Sequence, residues 1–183
     1  MKFLRRSSFF ALGLLAASTT FCFAGPSAQK IAGVPNFSRM RDLGTVPRAQ
    51  SIPLAIGMRL RNERNLDALI ASQSNSDSRV YQHFLTPLQL REAFGPTAAD
   101  YQRTLITLRR AGFTIVRTYQ FRTLVDVVAP AAVVEHYFAT SLHRVELDGA
   151  ETYANVAPAY LPPELRATVS GITGFTAASL YKP

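Results

Sequence analysis

Ile52-Pro53-Leu54-Ala55-Ile56-Gly57-Met58-Arg59-Leu60 is the stretch on which the fold reading turns. Leu54, Ile56, Met58 and Leu60 alternate with Ala55, Gly57 and Arg59, the period of an extended strand with one apolar face and one face almost without side chains. A sheet built on such a strand buries one side and leaves the other nearly bare. Helical character follows at once: Asn62 is placed to cap a helix, Glu63 lies in its positive first turn, and Leu66, Leu69 and Ile70 form an apolar stripe. The polar run 72–78 ends that helix.

Further along, Thr86-Pro87 opens a short helix by the cap-then-proline device, and Gly95-Pro96 breaks it after Phe94. Thr97 starts a third helix, with Tyr101, Leu105 and Leu108 on one face and Gly112 as its stop. Residues 113–118 and 124–129 are rich in branched and aromatic side chains and read as two strands joined by a hairpin at 119–123. Pro130 begins a helix carrying Val133, Val134, Tyr137 and Phe138, and 142–147 returns as a strand. Asp148-Gly149 turns the chain into a last strand near 152–156. The order strand, helices, strand, strand, helix, strand defines an α+β fold, the ferredoxin-like split βαβ sandwich, with an antiparallel sheet and its helices on one face. The closing strand is read as 142–147, and Ala55, Gly57, Arg59 and Asp126 fall on the uncovered face.

Toward the N-terminus, residues 25–51 scatter Pro26, Pro35 and Pro47 among Gly, Ser and Arg without a period, and read as a mobile leader. Residues 1–24 read as an export signal: Lys2, Arg5 and Arg6 precede an apolar run from Phe9 to Ala17, and Cys22-Phe23-Ala24 offers a small-residue cleavage site. Ordinary secretion suits this start better than the twin-arginine route, because Phe9 falls one place late for the latter. The expected location is therefore secreted, extracellular or periplasmic. The apolar run is too short for a permanent span, so no stable membrane anchor is expected. Cys22 is the one cysteine and lies inside the signal, which leaves neither disulfide nor thiolate chemistry to the processed chain. Processing removes three of 20 basic residues and none of 12 acidic ones, so the formal charge falls from +8 to about +5. The arginines are scattered without a basic run or an RNA-type aromatic signature, which argues against nucleic acid and for an acidic protein partner.

Several segments, spread over roughly 52–175, together resemble a known family. They are Leu60-Arg61-Asn62 with Leu66 and Leu69; Tyr81-Gln82-His83-Phe84-Leu85-Thr86-Pro87-Leu88-Gln89-Leu90; Phe94-Gly95-Pro96-Thr97; and Leu108-Arg109-Arg110-Ala111-Gly112-Phe113. The series continues with Val133-Val134-Glu135-His136-Tyr137-Phe138-Ala139-Thr140-Ser141-Leu142-His143, then Leu161-Pro162-Pro163-Glu164-Leu165 ahead of Val169-Ser170-Gly171-Ile172-Thr173-Gly174-Phe175. In this order they resemble the propeptide, or pro-kumamolisin-type activation domain, of the sedolisin (S53) serine-carboxyl peptidases, without the catalytic domain. Gln120, Phe121 and Arg122 depart from the pattern, which has small or polar residues there.

The resemblance implies a ferredoxin-like module over 52–175 that assists folding of a peptidase, keeps it inactive and leaves it at acid pH. Residues 176–183 would be a C-terminal tail. The expected partner is a sedolisin-like catalytic domain, reached in trans or as the front part of a precursor. The expected interface is Ala55, Gly57, Arg59 and Asp126 of the bare face, with Gly171 and Gly174 leading the tail toward the substrate cleft. An exported binding module that keeps the fold but has no peptidase partner is the alternative.

No catalytic residue, cofactor site or metal site is expected. Glu63 and Asp67 have the one-turn spacing of the carboxylate pair in sedolisin catalytic domains, which brings two carboxylates to one helix face. Residues 170–174, however, supply no Gly-Thr-Ser nucleophile context, and acidic residues at a helix start complement its dipole. His83, His136 and His143 lack the paired spacing of a zinc site and read as surface or boundary residues. Tyr101, Phe113, Tyr137 and Phe138 read as core rather than as a stacking platform.

Overall fold

The computed structural model describes residues 28–177. Its centre is β3 (Ser51–Met58), whose Ile52, Leu54, Ile56 and Met58 are buried in strict alternation. Around it runs a four-stranded sheet in the order β4-β5-β3-β9, with β4 at Thr114–Thr118, β5 at Leu124–Pro130 and β9 at Val169–Thr173. Every neighbouring pair is antiparallel. Two βαβ crossovers interleave, so β5 lies between β3 and β4, and β3 between β5 and β9. This is the ferredoxin-like arrangement expected from the sequence.

Helices α3 (Ala98–Arg110) and α4 (Ala131–Tyr137) cover one face of that sheet. Thr97 caps α3 by accepting a hydrogen bond from the Asp100 amide, and Gly112 ends it with a φ of 95° that a side chain would strain. Tyr101, Leu105 and Leu108 of α3, together with Val134 of α4, meet Ile52, Ile56, Val125 and Val127 in a single apolar core. Phe138 is its largest fully buried side chain, with ring centroids 5.7 Å from Phe113 and 5.3 Å from Phe175.

Four expectations need correction. The closing strand is β9, not 142–147. The latter forms β6 (Leu142–Leu147) in a second, three-stranded sheet, where it pairs with β2 (Met40–Thr45) and β7 (Ala150–Asn155). The hairpin signal at Asp148-Gly149 is real, with φ of 51° and 82°, but it pulls β6 toward β7 rather than into the main sheet.

The stretch read as an irregular leader carries two strands, β1 (Gln29–Ala32) and β2; β1 pairs with β8 (Ala159–Leu161). Neither has a clear hydrophobic period, so each depends on the partner strand that completes its hydrogen bonds. Asn62 precedes α1 (Glu63–Ser74) but does not cap it: its φ is 54°, and its side-chain amide donates instead to the Ala93 carbonyl. Finally, the Leu66, Leu69 and Ile70 stripe of α1 is not buried against the sheet; α1 contributes no buried residue at all.

The short helix α2 (Pro87–Phe94) begins as read, with a reciprocal capping box between Thr86 and Gln89. The expected export signal and most of the expected tail lie outside the described residues. Among the described residues, no helix is long and apolar enough to cross a membrane.

Candidate partner interface

On the face of the sheet away from α3 and α4, strand alternation places Pro53, Ala55 and Gly57 of β3. Across the ladder, Ala55 stands opposite Asp126 and Thr173, and Gly57 opposite Leu124 and Gly171. The surface is bare because of its composition. A β-carbon at Gly57 would already lie 3.3 Å from the Ser170 hydroxyl, and nothing lies within 4 Å of one built at Gly171. Pro53, Ala55, Val116, Asp126 and Thr173 border a shallow depression of about 380 Å³ on this face.

Asp126 is not a free carboxylate. The Tyr119 hydroxyl donates to its Oδ2 at 2.7 Å, and Arg117 faces it across the β4–β5 ladder. Val116 sits at a register break in edge strand β4 and is 64% exposed, the most apolar feature of the rim. Its position follows from the bulge, which the sequence pattern does not announce. Pro53 and Thr173, by contrast, were within reach of the alternation and were passed over.

Of the residues expected at the interface, Ala55, Gly57, Asp126 and Gly171 form one contiguous patch. Arg59 stands at its margin: β3 ends at Met58, and the guanidinium lies over the start of β9, with Nη2 3.4 Å from the Val169 carbonyl oxygen. Gly174 has φ 110° and packs so closely that a β-carbon would come within 2.5 Å of the Pro53 carbonyl oxygen. Its lack of a side chain serves that close approach. Gly171 is held in β9, Phe175 is buried, the Thr176 hydroxyl donates to Asn155 Oδ1 at 2.8 Å and Ala177 packs against the core, so the chain stays tied to the domain through residue 177.

Glu63 and Asp67 are both exposed on α1. His83 bonds to the Tyr81 carbonyl, His136 is exposed on α4, and His143 pairs with Asp42, its Nδ1 2.8 Å from Oδ2. That partner and the Gly44 amide, the larger influence, hold the Asp42 carboxyl below its ordinary range. Burial raises Tyr101, Tyr137 and Tyr153 above the usual phenol range, consistent with their part in packing. Among the described residues, no group of three or more His, Cys, Asp or Glu is placed to hold a metal ion.

The described residues thus form a split βαβ sheet covered by α3 and α4 on one face and left uncovered on the other. A family profile described as "Pro-kumamolisin, activation domain" matches residues 38–178. Xanthomonalisin of Xanthomonas sp. (strain T-22) is 32% identical over 125 residues, which is 68% of this chain and 15% of that protein. Sedolisin of Pseudomonas sp. (strain 101) is 29% identical over 171 residues, 92% of this chain and 29% of that protein. The chain therefore spans less than a third of the length of either relative, and the match lies in their N-terminal regions. The chain belongs to the pro-kumamolisin activation domain family, the propeptides of sedolisin-type peptidases. What is described here is the propeptide region and not the catalytic part.

Proposed function

We propose that this domain acts as the inhibitory, folding-assisting propeptide of a sedolisin-like peptidase, in cis or in trans, in an exported protein. The uncovered β4-β5-β3-β9 face is the observation that carries the reading, because a sheet with small side chains and no helix over it can be covered closely by another protein's surface. A standard interface covers about 800 Å² per partner, well beyond the depression alone, so the contact would spread over the strands around it. Ala55 would lie near its centre, Val116 and Pro53 would add apolar contact at the rim, and Arg59 and Arg117 would meet carboxylates at its margin.

Acid release follows from those margins. Carboxylates on the partner are ionised near neutrality and protonated in acid, so the ion pairs that hold the complex at neutral pH are lost as pH falls. Inhibition of Sedolisin's catalytic domain by the purified chain, followed at neutral and acid pH, tests the reading. Strong inhibition near neutrality that fades in acid is expected; absence of inhibition throughout would overturn it.

A further inference from the structure

We infer that the α1–α2 excursion is a second docking surface for the same peptidase, in which a cavity between α1, α2 and the β4–β5 hairpin receives one large apolar side chain of that partner. The inference rests on the proposed function above for the partner's identity, and on separate residues for the site.

Residues 63–93 contain no buried residue, although this stretch is rich in large hydrophobics. Phe84 is 76% exposed, Leu88 57%, Ile70 52% and Leu90 44%. Large apolar side chains left exposed in this number on one excursion point to a contact that covers them. Within it, Leu60, Leu66, Leu90, Phe94 and Phe121 wall a cavity of about 250 Å³. Small-molecule pockets run from about 300 Å³ upward, so the volume suits an anchoring side chain better than a cofactor.

The cavity is held in shape rather than formed by chance. Arg61 donates from Nε to the Gly95 carbonyl and from Nη2 to the Glu92 carbonyl, both at 2.6 Å, which clamps the end of β3 to the end of α2. Arg122 reaches Glu92 at 3.4 Å from the hairpin side. Phe121, one of the residues at which the chain departs from the family pattern, supplies the wall from the hairpin side.

Two observations select the occupant. The excursion carries four acids (Glu63, Asp67, Asp77, Glu92) against three arginines (Arg64, Arg79, Arg91) in a chain of pI about 10.1, so it lacks the basic face that an anionic membrane would attract. The chain also spans only 15% and 29% of its two relatives, so in them most of the protein lies outside the region matched here, enough to supply a partner surface. Two of its lining residues, Leu60 just past β3 and Thr123 just before β5, put the cavity at the Gly57–Leu124 end of the main sheet.

The test uses the full chain against Sedolisin's catalytic domain, with Leu90→Glu and Phe84→Ser as exposed-site variants that leave the core intact. The inference expects inhibition weakened at least tenfold by Leu90→Glu and several-fold by Phe84→Ser, with unchanged circular dichroism. If the unaltered chain inhibits and both variants inhibit equally well, this inference fails and the proposed function stands. If the unaltered chain does not inhibit at all, both fail. A sedimenting dimer that Leu90→Glu dissolves without altering inhibition would give the surface to a second copy. Leu90-dependent binding to zwitterionic lipid vesicles, again with inhibition unaltered, would give it to a lipid. Either result also overturns the inference.

Discussion

α1 and α3 lie in the same crossover between β3 and β4, yet they are built to opposite ends. α3 buries Tyr101, Thr104, Leu105 and Leu108 against the sheet, while α1 buries nothing. Both carry apolar residues at helical spacing. Periodicity therefore reports that a helix has an apolar side, but not that its own domain covers that side. Under the proposed function the uncovered side is the informative one, since binding energy is then kept available for a partner rather than used in folding.

The contrast can be broken most directly by truncation. Phe138→Ala, in the core under α4, should cost about 3–5 kcal/mol. Ile70→Ala on α1, 52% exposed, should change stability by no more than about 0.5 kcal/mol, as surface substitutions do. Denaturant unfolding measures both, and a large loss at Ile70 would place α1 in the core. Gly174→Ala comes next. Its φ of 110° and the 2.5 Å approach to the Pro53 carbonyl predict a loss of about 1–3 kcal/mol, visible in the same unfolding curves.

Tyr101→Phe sharpens the account of α3. Its hydroxyl donates to the Leu124 carbonyl at 2.9 Å and accepts from the Tyr119 amide at 3.4 Å, so its removal should cost about 0.5–1.5 kcal/mol. The smallest effect belongs to Asp42, which is exposed. Its carboxyl is held below the ordinary 3.8 by the Gly44 amide and His143, so its contribution is present above that value and lost as pH falls through the lowered one. Asp42→Asn should lower the melting temperature at neutral pH and converge with the unaltered chain in strong acid. A constant difference across pH would remove the pair from the account.

The main sheet was largely legible in the sequence because β3 and β5 alternate cleanly and the helix starts carry their own chemistry, Thr86-Pro87 and Thr97 above all. The closing strand was not. Val169-Ser170-Gly171-Ile172-Thr173 includes a glycine and a register break beside Gly57, which blur the period, whereas Leu142–Leu147 looks like a better strand and is one, in another sheet. β1 and β2 were hidden for a related reason: edge strands that rely on a partner's backbone need little hydrophobic pattern of their own.

The uncovered face was legible as an absence of bulk at Ala55, Gly57 and Gly171. Arg59 falls one residue past the end of β3, so alternation places it at the margin of that face and not within the ladder. Val116 was missed because a bulge decides its exposure. The α1–α2 cavity lay beyond sequence reading altogether, since its walls come from four separate segments, two of which the Arg61 clamp joins.

The central claim is that the bare sheet face is the one a peptidase covers, and Ala55→Arg tests it most directly by placing a long charged side chain in the middle of that face without entering the core. Measured against Sedolisin's catalytic domain at neutral pH, the variant should fold normally and inhibit at least tenfold less well than the unaltered chain. Equal inhibition by the two would mean that the peptidase binds elsewhere.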